Sequence, residues 1–185
     1  RCNEGYLNTL GAQRIPDPTT AGDFCRRFQP VDIDSVQEAF NDRRVAVWKR
    51  QPPSFFEEAI IDGDGTEVGT SGECKDGIGL SYEGTWGFNV LVISLANTGE
   101  PLYLVNRPAN RPSHEGAAER FDQAVALVTH AGFRKVMLRG DTDFSQTRHL
   151  DRWHDDGVQF VFGFDAITKL EEMAENLPET AWKQL

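Results

Sequence analysis

Long apolar runs are missing from this sequence: none approaches the roughly 20 residues a membrane helix needs. No charged-then-apolar leader opens it either. Cysteine is scarce. Cys2, Cys25 and Cys74 are odd in number, widely spaced and without a CxxC pair, which argues against a disulfide framework or a structural zinc site. Free thiols packed as small apolar groups, in a reducing cytoplasm, are the expectation. Positive charge is short as well, with 19 basic against 29 acidic residues and a net charge of −10. That balance is awkward for a surface that must neutralise phosphates. The deficit is uneven: residues 1–58 carry 8 basic and 9 acidic side chains, residues 59–185 carry 11 and 20. An acid-rich second part suits a site that collects divalent cations, although a solvated surface accounts for most such residues. Repeats and low-complexity tracts are absent. What is present, 185 residues, is enough for one domain with a sizeable core and a small appendage. Arg1 stands at the first position and no stop signal follows Thr180, so we expect part of a longer polypeptide.

The Pro-rich stretch Gln51-Pro52-Pro53-Ser54 separates two unlike regions and reads as a linker. We therefore divide the chain into a helical region over 1–54 and a mixed α/β region over 55–185. In the first, Asp17-Pro18-Thr19-Thr20 offers an N-cap and turn before a helix over 21–28, which Pro30 ends. Asp34 or Ser35 caps a second helix to about residue 50. Its apolar positions Val36, Ala39, Phe40 and Val47 fall at helical spacing, with Arg43, Arg44, Lys49 and Arg50 elsewhere. Either a DNA-contacting module or an ordinary packing helix fits that pattern.

From residue 59 the pattern alternates. Ala59-Ile60-Ile61 is strand-like and ends in Asp62-Gly63-Asp64-Gly65-Thr66. Residues 88–95 read as a strand buried on both faces. The turn Asn97-Thr98-Gly99-Glu100 and a return strand over 102–105 make a hairpin. Ser113 caps a helix to Ala131, with Ala117, Ala118, Phe121, Ala124, Val125 and Val128 as its stripe and Gly132 as its stop. A strand over 136–138 ends at Gly140-Asp141-Thr142-Asp143. A helix over 145–156, a strand over 158–164 and a helix over 168–176 complete the order. Strand, hairpin, helix, strand, helix, strand, helix matches an α/β, ribonuclease-H-like mixed sheet: an antiparallel three-strand meander extended from its first strand by parallel strands.

In such a sheet Asp64 and Asp141, remote in sequence, end neighbouring strands, where α/β sheets bind ligands. Two ionised carboxylates repel, and a divalent cation relieves the repulsion. Hard oxygen ligands suit Mg²⁺ or Mn²⁺. Asp before Gly at a strand end is also an ordinary turn former. Asp62 and Asp143 each stand two residues from a candidate, so either can be ligand or helper. His114, His130, His149 and His154 form no ligand pattern. Trp86 can stack on a base, or anchor a loop.

Several longer motifs carry a resemblance. Asp62-Gly63-Asp64-Gly65-Thr66, Gly84-Thr85-Trp86-Gly87, the stretch over 94–103, Asn106-Arg107-Pro108-Ala109-Asn110-Arg111-Pro112-Ser113-His114-Glu115-Gly116, Leu138-Arg139-Gly140-Asp141-Thr142-Asp143-Phe144 and Phe160-Val161-Phe162-Gly163 occur in this order. With the early Pro16-Asp17-Pro18-Thr19-Thr20 they resemble the DDE transposases of bacterial insertion sequences, group 1. The resemblance implies a Mg²⁺-dependent core that cuts and joins double-stranded DNA at transposon ends, working as a homo-oligomer when full-length. It places the first catalytic, metal-binding Asp on Asp64 and the second on Asp141. The family's third acid, a Glu on a later helix, is expected outside this chain, since Glu171, Glu172 and Glu175 come too early. The chain alone is then expected to be inactive. A haloacid-dehalogenase-like phosphatase is the main alternative, with Asp62 as nucleophile and Asp64 as acid/base. It requires the first strand to open a parallel βαβ unit, where the transposase requires an antiparallel meander. A calcium loop through Asp62, Asp64, Thr66 and Glu73 is a third reading, weakened by Glu67 where Gly is needed.

Overall fold

The computed structural model describes residues 4–182 except 12, 14–16 and 73–74. Cys2, Pro16, Glu73 and Cys74 fall outside the described residues. Two compact units are present, Arg1–Arg44 and Val45–Leu185.

Helices α1 (Glu4–Leu10) and α2 (Pro18–Cys25) lie in the first unit, and α3 (Pro30–Trp48) begins there. Asp17 caps α2: its Oδ1 accepts from Thr20 N–H at 3.0 Å, and Pro18 takes the first helical position, where a missing N–H costs nothing. Pro30 does the same for α3. The second helix is expected to start at Asp34 or Ser35, but α3 begins at Pro30, because the Asp32 carboxylate accepts from Gln29 N–H at 2.8 Å and closes the first turn. Val36, Phe40 and Val47 are exposed. Apolar residues lie all round α3, so spacing alone did not select the buried face. Cys25 is a free, exposed thiol, not a packed one.

In the second unit the Pro-rich segment forms a 3₁₀ turn, Pro53–Phe56. Phe55 and Phe56 pack edge to face, and both meet Phe133, with ring centroids 5.1–5.3 Å apart. The sheet follows: β1 (Ala59–Gly69), β2 (Gly79–Leu80), β3 (Trp86–Leu95), β4 (Glu100–Val105), β5 (Val136–Gly140) and β6 (Gln159–Phe162). β1 and β3 pair antiparallel, as do β3 and β4; β5 then runs parallel to β1 and β6 parallel to β5. The short β2 shares with β4 the free edge of β3. This is the ribonuclease-H-like mixed sheet. The neighbour of β1 on the meander side is antiparallel, which removes the phosphatase alternative.

One local expectation fails. The first strand is expected to end at Asp62–Thr66, yet β1 continues straight through to Gly69. Pairing with nine residues of β3 overrides the local Asp-Gly preference. The glycines serve close packing instead. A Cβ on Gly63 would lie 2.4 Å from Phe121 Cζ, and one on Gly65 would lie 2.9 Å from Ser113 Cβ. An unbroken strand also rules out a calcium loop, because alternate side chains of an extended segment cannot wrap one ion.

Two crossover helices, α4 (Ala117–Ala131) and α5 (Thr147–Asp155), cover one face of the sheet. α4 starts after Gly116, held at φ +73°, and not at Ser113; Gly132 ends it at φ +110°. Phe121 is the hub of the core, with its ring 5.9–6.2 Å from those of Phe144, Trp153 and Phe162. Ala59, Ile61, Leu91, Ile93, Leu95 and Leu138 point into the same layer and are buried. The last helix, α6 (Thr168–Glu175), has no buried residue. Among the described residues, no helix is long and apolar enough to cross a membrane.

Candidate active site

Strand alternation fixes which acids share a side. Ile61 and Gly63 point at α4, so Asp62 and Asp64 point to the opposite face. The parallel ladder pairs Ala59, Ile60, Ile61 and Asp62 with Val136, Met137, Leu138 and Arg139. The ladder stops there; the same register carried on by two residues along each chain would bring Asp64 opposite Asp141. Neighbouring strands lie about 4.8 Å apart. Asp141 keeps an extended backbone, φ −77° and ψ −165°, just past the end of β5. Asp64, however, does not end its strand; it stands where β1 outruns β5. Both carboxylates are exposed.

The two neighbours left open by the sequence behave differently. Asp62 accepts two hydrogen bonds from Arg139, Nε at 2.6 Å and Nη2 at 2.7 Å. That fork holds the Arg139 guanidinium's pKa above its ordinary value, chiefly by the hydrogen bond and then by Coulomb attraction. A carboxylate so engaged is a poor nucleophile and a poor cation ligand, a second count against the phosphatase. Asp143 donates its backbone N–H to Asp141 Oδ1 at 2.9 Å, closing the 3₁₀ turn Thr142–Phe144. The Asp143 side chain lines a cavity of about 400 Å³ with Glu67, Tyr82, Glu83, Asn110 and Arg111. Glu83 first, by charge and hydrogen bond, then Glu67 and Asp143, raise the Tyr82 phenol.

Arg107, buried, was missed as a structural centre. Its Nε donates to Asn89 O, Nη2 to Asn89 Oδ1, and Nη1 to the carbonyls of Pro112, Ser113 and Glu115. One guanidinium thereby shapes the loop that presses Ser113 onto Gly65. Burial lowers its pKa, offset in part by Glu115. The only sequence signal was a rigid Pro-rich loop with an Arg inside it. Trp86 is partly exposed at the start of β3 and is not a core residue. His149 lies against the Trp153 ring, 5.6 Å between centroids. Among the described residues, no three His, Cys, Asp or Glu side chains form a metal-binding group.

Asp64 and Asp141 are both exposed, and Asp62 is engaged by Arg139; carboxylate oxygens are the ligand type that Mg²⁺ or Mn²⁺ takes.

The family model described as transposase DDE domain, group 1, matches residues 13–185. No curated protein matches. Among solved structures, the cryo-EM synaptic complex of piggyBac transposase with hairpin DNA is similar at a TM-score of 0.44 and 12% identity. The likeness covers 79% of this chain and 33% of that one, so the chain spans about one third of that transposase's length.

Proposed function

The chain belongs to the group 1 transposase DDE domain family, and on that premise we propose that Asp64 and Asp141 are its metal-binding catalytic carboxylates. They serve cleavage and joining of double-stranded DNA at insertion-sequence ends. The observation that supports the reading is the shared register of β1 and β5, whose last pair, Asp62 and Arg139, lies two residues before each acid. Residues 55–185 are the catalytic part in this reading, and residues 1–54 an appended helical region.

Mg²⁺ or Mn²⁺ bound there would activate a water or 3′-hydroxyl and stabilise the leaving oxygen. The chain's own residues prepare the place. Arg139 takes Asp62 out of competition. Asp143 N–H fixes the rotation of the Asp141 carboxylate. Gly63 lets Phe121 press β1 close to α4, and Arg107 holds the loop that supports Gly65. Exposure of both acids leaves room for a duplex end. A third carboxylate would come from elsewhere in the full polypeptide, and Glu171, Glu172 and Glu175 on α6 are not assigned the role. The chain alone should bind Mn²⁺ weakly and catalyse no strand transfer.

The test is nicking and joining of terminal DNA by the full-length protein in Mg²⁺. Asp64→Asn and Asp141→Asn should each abolish both reactions while leaving the thermal midpoint close to wild type. Wild-type cleavage by both variants would overturn the assignment.

A further inference from the structure

We propose that the cavity between the Thr142–Phe144 turn and the start of α5 holds a phosphodiester of the bound DNA strand, with Arg148 as its cation. This rests on the transposase reading above and adds a contact that it lacks. The cavity, about 480 Å³, is lined by His114, Thr142, Asp143, Ser145, Thr147 and Arg148. It begins at the residue after Asp141, so a strand whose scissile phosphate lies at the aspartate pair would run past it.

Charge selects Arg148. The second unit is strongly acidic, and most of its arginines are engaged. Arg111, Arg134, Arg139 and Arg152 each bridge a carboxylate: Glu115, Glu57, Asp62 and Asp122. Arg107 is buried on carbonyls. Arg148 instead donates its Nε to His149 Nε2 at 2.9 Å, and among the described residues no carboxylate engages it. His149 is itself steadied against the Trp153 ring. The guanidinium is therefore aimed, with its terminal N–H groups unspent, as a bidentate phosphate contact requires. The wall is also built. Gln146 Nε2 donates to His114 O at 2.7 Å, tying α5's start to the loop before α4, and Ser145 Oγ donates to Thr142 O at 2.8 Å. The Thr142 and Thr147 hydroxyls remain as further donors.

Asp143 on the same wall opposes any anion. With Arg148 it brings the local charge to zero, so the cavity should hold free phosphate poorly and engage a phosphodiester only as part of a longer strand.

The experiment is fluorescence anisotropy of this chain with a 20-base-pair duplex of arbitrary sequence across a salt series. Arg148→Gln should weaken binding about tenfold and reduce the slope of log affinity against log salt by about 0.9, the loss of one phosphate contact. Arg148→Lys should recover the slope and only part of the affinity, because a point charge cannot form the fork. Arg134→Gln, remote from the cavity, should change neither. If the wild type binds and Arg148→Gln leaves affinity and slope unaltered, or Arg134→Gln matches its effect, this inference fails and the aspartate assignment stands. A wild-type chain that binds no duplex at all would sink this inference, while the aspartate assignment stands or falls with cleavage by the full-length protein.

Discussion

Replacing Gly63 by alanine would place a methyl group 2.4 Å from Phe121 Cζ, and ordinary contact needs 3.4–4 Å. The gap must open by about 1 Å. Phe121 is only 1% exposed and ringed by Phe144, Trp153 and Phe162, so the ring has nowhere to turn and the strand must lift from α4. Overpacking of this kind costs about 1–3 kcal/mol. Stiffening the unfolded chain returns roughly 0.4–1 kcal/mol. The net loss is about 1–2 kcal/mol, which for a protein of this size lowers the thermal midpoint by about 2–8 °C. Calorimetry or circular dichroism would read it. The decisive arm is Phe121→Leu: in that background Gly63→Ala should cost little, giving a coupling of about 1–2 kcal/mol. Because β1 carries Asp64, the single variant should also lose DNA cleavage in the full-length protein, and Phe121→Leu should restore part of it. An unchanged midpoint for Gly63→Ala, or strict additivity in the double variant, would refute the argument that β1 is seated by the absence of a side chain.

Arg107→Met removes five hydrogen bonds, two of them to the buried Asn89, so unfolding should come about 3 kcal/mol earlier in a urea titration; Arg107→Lys should recover less than half. Arg139→Gln frees Asp62 beside Asp64, and calorimetric Mn²⁺ titration should show severalfold tighter binding, with stability changed by less than about 1 kcal/mol for so exposed a pair. Glu83→Gln removes the largest cause of the raised Tyr82 phenol, so ultraviolet difference titration should find that tyrosine ionising at lower pH than in the wild type. An unshifted titration would show that Glu83 is not the neighbour responsible.

Strand order was legible because each parallel strand is announced by an apolar run and each crossover by a 3.6-residue stripe; β3, β4 and α4 follow directly from residues 88–131. Asp64 and Asp141 were singled out by their place after apolar runs and by the family likeness, and their role is the proposal made above. What escaped was set by tertiary pairing. Asp62-Gly63-Asp64-Gly65 has the composition of a turn, and only a long partner strand makes it extended. Pro30 looks like a stop unless Asp32 is known to fold back. The Asp62–Arg139 fork joins residues 77 apart, a distance over which no local pattern reports. Arg107 gives no periodic signal, since its partners are carbonyls, which every residue has.

The hydrogen bond from Asp143 N–H to Asp141 makes the two aspartates unequal partners. Asp64 can lose its charge without disturbing any backbone, but Asp141 is also the cap of a turn whose third residue, Phe144, is 1% exposed in the core. An asparagine keeps that cap and an alanine does not, so alanine scanning would exaggerate one acid over the other. On the reading proposed above, a cation bound by Asp141 would sit on a turn anchored in the interior, and its arrival should register as added resistance to heat.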